Sequence, residues 1–327
     1  MDFGIYGLGR MGQAIVGRLL RHGHVVHVYN RSPEPIAALV AEGAQGAASL
    51  SAFVGQMSSP RCIWLMLPAG EATEQAIAAL AALLSPGDIL IDGGNSYWRD
   101  APRRAALLAP LGIHFLDVGT SGGVHGLERG FCLMVGGPDD AVDMIDTVFT
   151  ILAPDRPKMD DEIHPNNTSR RSRPGFVRSG ASGSGHFVKM VHNGIEYGMM
   201  QAIAEGFDFL AAAASPSRPA SEAFDLKLDE IAEAWRSSSV ISSWLVDLAA
   251  AALRSDPKLA TFSGRIDDSG EGRWMLHDAI ESRTPAFALA AALFARFESK
   301  ADSRFGNQLL SAMRMGFGGH KEPPGRI

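Results

Sequence analysis

The sequence predicts an α/β doubly wound sheet followed by an all-α C-terminal domain, and three observations carry that reading. From Asp2 to about Ala153, short apolar runs alternate with Ala- and Leu-rich helical patterns, as βαβ units do. A G-x-G-x-x-G follows the first apolar run directly. From Ser184 onward the helical period persists, with breaks at 215–218, 256–257 and 267–272.

Taken in order, Phe3–Tyr6, Val25–Tyr29, Cys62–Leu67, Ile89–Ile91, His114–Val118 and Phe131–Val135 read as strands. Between them Met11–Arg21, Pro35–Glu42, Glu71–Leu84 and Ala101–Leu108 read as crossover helices, with Gly, Pro, Asn and Asp at the junctions. Asp140–Leu152 is again helical in pattern. Residues 154–178 carry five Arg and four Pro with almost nothing apolar before Phe176, and are expected to be an exposed connection. The Arg170-Arg171-Ser172-Arg173 run inside it is read as solvated and not as a phosphate patch. The expected domains are therefore 1–178, nucleotide-binding, and 179–327, helical.

Composition narrows the function. In 327 residues, 46% are hydrophobic, enough for a sizeable core, and 30 Lys+Arg against 36 Asp+Glu give a net charge of −6. That balance argues against nucleic acid or an anionic membrane as partner. Cys62 and Cys132 stand far apart with no Cys or His at metal-ligand spacing, so neither a metal site nor a disulfide framework is expected. Met1-Asp2 runs straight into Phe3, which leaves no signal or transit pattern, and the cytoplasm is the expected compartment. Ala286–Phe297 is far shorter than the roughly 20 apolar residues of a membrane span.

Gly7-Leu8-Gly9-Arg10-Met11-Gly12 sits where a strand turns into a helix, so its glycines let a pyrophosphate approach the helix N-terminus. This marks a Rossmann-type dinucleotide site. After the second strand, where an NAD-selective site places an acid on the ribose, the chain has Asn30-Arg31-Ser32. With no carboxylate and one guanidinium there, NADP is expected ahead of NAD, which stays possible. Asn95, in Asp92-Gly93-Gly94-Asn95-Ser96, and Ser121-Gly122-Gly123 follow strands at the carboxyl edge of the sheet, where ligands bind. Lys189, His192, Asn193 and Glu196 fall at i, i+3, i+4 and i+7, so one helical stripe carries a base, an acid and two hydrogen-bonding groups.

Together with Gly185-His186-Phe187-Val188-Lys189-Met190-Val191-His192-Asn193-Gly194-Ile195-Glu196-Tyr197, these motifs resemble the decarboxylating 6-phosphogluconate dehydrogenase family in its short form. The resemblance extends to Asp268–Trp274, Phe294-Ala295-Arg296 and the tail Arg314–His320. It implies NADP-linked oxidative decarboxylation of 6-phosphogluconate to ribulose 5-phosphate, in the cytoplasmic pentose phosphate route, with no metal required. Lys189 would act as general base, neutral when it does so, and Glu196 as general acid. His192, Asn193, Asn95 and Ser121-Gly122-Gly123 would position the substrate, with Tyr197 and Arg296 on its phosphate. Arg314 and His320 would reach the partner subunit's site in a homodimer or higher homo-oligomer, and the active cleft would lie between the domains.

The chain departs from the long-form pattern at Ser269 and Glu271, where Lys and Thr serve the phosphate, leaving Arg273 as a substitute cation. A β-hydroxyacid dehydrogenase for an unphosphorylated acid, of gluconate or 3-hydroxyisobutyrate type, is the alternative reading. A catalytically silent NADP(H)-binding module is the third.

Overall fold

The computed structural model describes residues 2–154, 171–301 and 305–318, with backbone alone at 311 and 314–318. The first part alternates strands and helices: β1 (Asp2–Tyr6), α1 (Arg10–Arg21), β2 (Val26–Tyr29), α2 (Pro33–Ala41), β3 (Gln45–Gly46), α3 (Leu50–Gly55), β4 (Arg61–Leu65), α4 (Glu71–Ala81), β5 (Ile89–Asp92), α5 (Asp100–Leu108) and β6 (His114–Ser121). There follow α6 (Gly126–Arg129), β7 (Cys132–Gly136), α7 (Asp139–Met144), α8 (Asp146–Leu152), β8 (Ser172–Arg173), β9 (Phe176–Gly180) and the long α9 (Ser184–Ala211). The remainder is helical: α10 (Leu228–Ser238), α11 (Trp244–Ser255), α12 (Glu271–Glu281), α13 (Phe287–Glu298) and α14 (Phe305–Gly318).

Among the described residues nine strands form one sheet in the order β3-β2-β1-β4-β5-β6-β7-β9-β8. The first six are parallel, with the strand order reversing beside β1, as in a dinucleotide-binding fold. The strands are continuous apolar runs because both faces are covered. Phe3, Ile5, Cys62, Trp64, Ile89 and Ile91 pack on one side with Ile15, Leu19 and Phe149. Ile63, Leu65 and Leu90 alternate to the other side with Phe53, Ile77, Leu80 and Leu108.

The structure departs from the sequence reading in four places. Residues 171–180 are not an exposed connection: β9 pairs parallel with β7, and β8 pairs antiparallel with β9 as the sheet edge. The arginines are accommodated by the acids of α7 and α8, since Arg173 Nη1 donates to Asp146 Oδ1 at 2.9 Å and Arg178 pairs with Asp143. Arg173 also stacks on the Phe176 ring at 4.2 Å. Residues 155–170, with Arg170, lie outside the described residues. The sheet is not wholly parallel, because β7 runs antiparallel to β6 across the Gly122–Phe131 loop. The helix expected over 140–152 is two, α7 and α8, meeting at Ile145 with φ −119°. The two-residue β3 and six-residue α3 fall below the length at which periodicity shows.

The chain divides into two compact units, one ending at His192 and one beginning at Asn193. In the second unit α10 and α11 bury Ala232, Ala250 and Leu253 against Phe207. Leu289, Ala292 and Leu293 of α13 pack with Tyr197 of α9 and with Met275 and Leu276 of α12. Among the described residues no helix is long and apolar enough to cross a membrane.

Candidate active site

The nucleotide loop is formed as its glycines require. Gly7 has φ +105°, a conformation that disfavours any side chain, and a Cβ on Gly12 would overlap the Gly7 carbonyl. Gly9, the N-cap of α1, has open space where a Cβ would stand, and α1 begins with no side-chain cap and no acid in its first turn. Uncapped N–H groups with space before them suit a pyrophosphate. Leu8 is buried beneath the loop, while Arg10 is exposed and Met11 half-buried at its outer edge.

Asn30 braces this loop: its Oδ1 accepts from the Leu8 N–H at 3.1 Å and its Nδ2 donates to the Ser32 carbonyl at 3.2 Å. Its amide therefore serves the turn first. Arg31 and Ser32 are exposed beside it, at the end of β2.

Behind the loop that follows β5 lies a buried charge network. Asp92, at the end of β5, accepts from Arg104 Nη1 at 2.6 Å and from the Gly94 N–H at 3.1 Å, which holds the turn leading to the exposed Asn95. Arg104 also donates to Glu74 of α4 at 2.8 and 2.9 Å. His186, in the first turn of α9, brings its Nε2 to 3.4 Å from Asp92 Oδ2, an ion-pair contact and not a well-aligned hydrogen bond. Burial alone would lower the His186 pKa, but the Asp92 carboxylate outweighs it, with Asp117 adding in the same direction, and the net shift is upward. For Asp92, burial raises and His186 and Arg104 lower, with the net direction down.

Helix α9 begins on the sheet itself. The buried Asp117 of β6 accepts from the N–H groups of Gly183 at 2.6 Å and His186 at 2.9 Å, and so caps the helix from another element. A Cβ on Gly185 would overlap the Asp117 carbonyl, and one on Gly119 would overlap the Lys189 Cβ and stand 2.9 Å from the Gly185 carbonyl. Two missing side chains thus let helix and strand backbones touch at the turn that carries Lys189. Three residues further on, His192 Nε2 lies 3.3 Å from Ser121 Oγ at the end of β6. Gly122 (φ +137°) and Gly123 follow, the latter with open space around it.

Gly119→Ala should lower kcat by about 100-fold, the scale on which a misplacement near 1 Å is felt, with the Kd for NADPH unchanged. A near-normal kcat would show that Lys189 tolerates the shift.

In the second unit the same helix continues with Asn193, Glu196 and Tyr197; Asn193 and Tyr197 are buried and Glu196 half-buried. Asn193 Nδ2 donates to Glu271 Oε1 at 2.6 Å. The Tyr197 hydroxyl accepts from the Ser269 N–H at 3.1 Å and lies 3.3 Å from Ser269 Oγ. Arg296 of α13 stacks on the Tyr197 ring at 3.7 Å and donates from Nη1 to the Asp267 carbonyl at 3.0 Å. Tyr197 and Arg296, far apart in sequence, therefore meet, with Ser269 between the Asp267 and Glu271 turns. Arg273 is instead engaged with Asp268 at 2.9 Å. Of Arg314 only the helical backbone is described, and His320 lies outside the described residues.

Residues 2–159 match the NAD binding domain of 6-phosphogluconate dehydrogenase, and residues 185–321 match the 6-phosphogluconate dehydrogenase C-terminal domain. A Haloferax volcanii protein named 6-phosphogluconate dehydrogenase, NAD(+)-dependent, decarboxylating, is 38% identical over 324 residues, covering 98% of each chain. The chain belongs to the 6-phosphogluconate dehydrogenase family. As a member of that family it is an oxidoreductase with an NAD-binding domain. A Synechococcus elongatus 6-phosphogluconate dehydrogenase, decarboxylating, is 35% identical over 95% of this chain and 64% of its own. The Plasmodium falciparum 6-phosphogluconate dehydrogenase, solved apo, with NADP+ and with 6-phosphogluconate, aligns over 100% of this chain and 67% of its own, at TM-score 0.77 and 26% identity. The Mycobacterium tuberculosis 3-hydroxyisobutyrate dehydrogenase shares the fold, with TM-score 0.66 at 20% identity over 91% of this chain and 94% of its own.

Sequence reasoning missed Arg104, Glu74 and Asp117, and gave no role to Asp92 or His186. The available signal was an acid in each of two apolar strands, Asp92 ending Ile89-Leu90-Ile91 and Asp117 set between Phe115-Leu116 and Val118.

Proposed function

We propose that the chain carries out NADP-linked oxidative decarboxylation of 6-phosphogluconate to ribulose 5-phosphate and CO2. The observation that supports it most is the seating of Lys189 on the bare backbone of Gly119, with His192 beside Ser121 one turn later, on the helix that continues to Asn193 and Glu196. A base, hydrogen-bonding groups and an acid then start from one helical face. The Gly7–Gly12 loop would hold the dinucleotide, whose nicotinamide would supply the hydride acceptor for C3 of the substrate.

Lys189, entering neutral, removes the C3 hydroxyl proton. As an ammonium it then donates to the new carbonyl oxygen, which accepts the electrons of the breaking C1–C2 bond as CO2 leaves. Lys189 returns its proton to that oxygen and recovers it while Glu196 protonates C1 of the enediol. Ser121, His192, Asn193 and the exposed Asn95 hold the hydroxyls and carboxylate in register, and Tyr197 with Arg296 takes the phosphate.

The absence of an acid after β2 supports NADP over NAD, although the Haloferax volcanii relative is named NAD(+)-dependent. Arg31→Glu should raise KM for NADP more than tenfold and that for NAD less than threefold, since only NADP brings a phosphate to the introduced carboxylate. Equal losses would remove Arg31 from 2′-phosphate recognition. The exposed aromatic side chains of Phe209, Phe287, Phe294 and Phe305 in the helical unit support a homodimer or higher homo-oligomer.

The Glu271 carboxylate favours a second reading, turnover of an unphosphorylated acid, because it lies in the turn expected to serve the phosphate. The deciding assay follows NADP and NAD reduction together with CO2 release, using 6-phosphogluconate and gluconate. Reduction matched by CO2 only with the phosphorylated acid supports the first reading. Activity on gluconate, or reduction without CO2, establishes the second, and NADPH binding without any turnover leaves a silent nucleotide-binding module.

A further inference from the structure

His186, the third residue of α9, is 2% exposed, and Asp92, Asp117 and Arg104 around it are buried as completely. Its Nε2 stands 3.4 Å from Asp92 Oδ2, the oxygen that also accepts from Arg104 Nη1, and is buried with no hydrogen-bond partner among the described residues. Its backbone N–H donates to Asp117 at 2.9 Å. The charges acting on the ring are thus Asp92 of β5, Asp117 of β6 and Arg104 of α5. Glu74 of α4 lies behind Arg104, partly exposed, and Lys189 follows three residues on along α9. Two buried carboxylates face one buried guanidinium, so a neutral imidazole leaves one buried negative charge without a counter-charge, and an imidazolium completes the set. Burial lowers the pKa of the ring, but Asp92 first and Asp117 after it outweigh burial, and the net direction is up. The dipoles of a helix start disfavour a cation, so the imidazolium answers to the two acids and not to α9.

We propose that His186 is a positioning residue of the reaction: as an imidazolium clamped between β5 and β6, it holds Asp92 in place, and with it the turn that presents Asn95 to the substrate. Asp92 grips that turn with its other oxygen, Oδ1, which accepts from the Gly94 N–H at 3.1 Å. Loss of the imidazolium leaves Oδ2 with one of its two cations and lets the carboxylate turn toward Arg104. The seat of Lys189 does not use the ring. It rests on the Asp117 cap to the N–H groups of Gly183 and His186 and on the close approach of Gly119 and Gly185. Deprotonation therefore loosens substrate binding through Asn95 and spares the chemical step, so KM carries the effect. Because its pKa is raised, the imidazolium persists through the ordinary histidine range and is lost above it; the clamp is closed at low pH and opens as pH rises. The inference rests on the reading of Asn95 as a substrate contact.

The test compares KM and kcat for 6-phosphogluconate with NADP in wild type and His186→Gln from about pH 6 to 9, with Tm measured for both. Glutamine keeps a donor near the place of Nε2 and removes the charge. Below the titration the KM of the variant should be about tenfold higher, the low end of what one charge-assisted contact supplies, with kcat within about threefold. As the wild type loses its proton the two KM values should converge, and their ratio cancels the titrations of Lys189, Glu196 and the substrate. The midpoint of convergence should match that of the His186 ring, followed by NMR on histidine-labelled protein and assigned by the resonance missing from the variant. A KM ratio constant with pH, as a purely structural role gives, overturns the proposal. So does a ratio within twofold of one throughout, a loss carried mainly by kcat, or a His186 ring that titrates at or below the ordinary histidine range. If the glutamine variant does not fold, Asp92→Asn serves, since it keeps an acceptor for the Gly94 N–H. It should move the His186 midpoint and the rise in KM to lower pH together, and a KM profile that stays in place overturns the proposal. An Asn95→Ala enzyme with unchanged KM overturns the substrate reading of Asn95 and this inference with it. Wild-type protein inactive on 6-phosphogluconate fails earlier, at the proposed function, and takes the inference down with it.

Discussion

Lys189→Met is expected to lower kcat for 6-phosphogluconate oxidation by at least about 1,000-fold while the Kd for NADPH stays within twofold. Methionine fills nearly the same volume and preserves the contact with Gly119, so the loss isolates the amine. General acid–base catalysis by one positioned group contributes roughly 100- to 10,000-fold, and in the proposed mechanism the same group also donates to the carbonyl that forms, which places the expectation in the upper part of that range. The geometry of the Gly7–Gly12 loop is set by Gly7, Gly12 and the Asn30 brace, so NADPH affinity is expected to survive the change. Stopped-flow measurement of NADPH formation and a fluorescence titration check the two halves. A variant retaining a tenth of the wild-type kcat would remove Lys189 as the base, and a large loss of NADPH affinity would point to misfolding instead.

Arg104→Met is expected to be the most destabilising single change near the site, by about 3–5 kcal/mol, because it leaves Asp92 buried without its main counter-ion. At this chain length that corresponds to a fall in Tm of roughly 10 °C. Part of the effect should appear in KM for the substrate, since Asp92 also holds the Gly94 N–H and with it the turn to Asn95. The double variant Arg104→Met/Asp92→Leu should regain a large share of the lost stability, because an apolar pair removes the unpaired charge. A fall in Tm below about 2 °C for the single variant, or no recovery in the double, would mean that His186 and water suffice for Asp92.

What the sequence made legible follows from the range over which each signal acts. The Gly7–Gly12 loop, the strand cores and the Lys189–Glu196 stripe are local patterns, and each lies where its period places it. The β8–β9 ribbon was hidden because its arginines look solvated until the acids that meet Arg173 and Arg178, on helices about thirty residues earlier, are in view. The Arg104–Asp92–His186 network was hidden for the same reason, since its partners come from three elements and only the fold brings them together. The contact between Glu271 and Asn193 spans 78 positions, and in the sequence Glu271 stood out only as a departure from a pattern. Strand β7 has an ordinary strand composition, so nothing local announced its antiparallel direction, which is a property of the loop before it.

The first turn of a helix usually frays, and its amide protons exchange with solvent through small local openings. In α9 that turn is tied by Asp117 to a strand deep in the sheet, so the amide of His186 can be released only when β6 itself gives way. Lys189, one turn later, therefore rides on a helix start with the protection of the sheet interior. That turn inherits the opening free energy of the strand that holds it, and not that of a helix end.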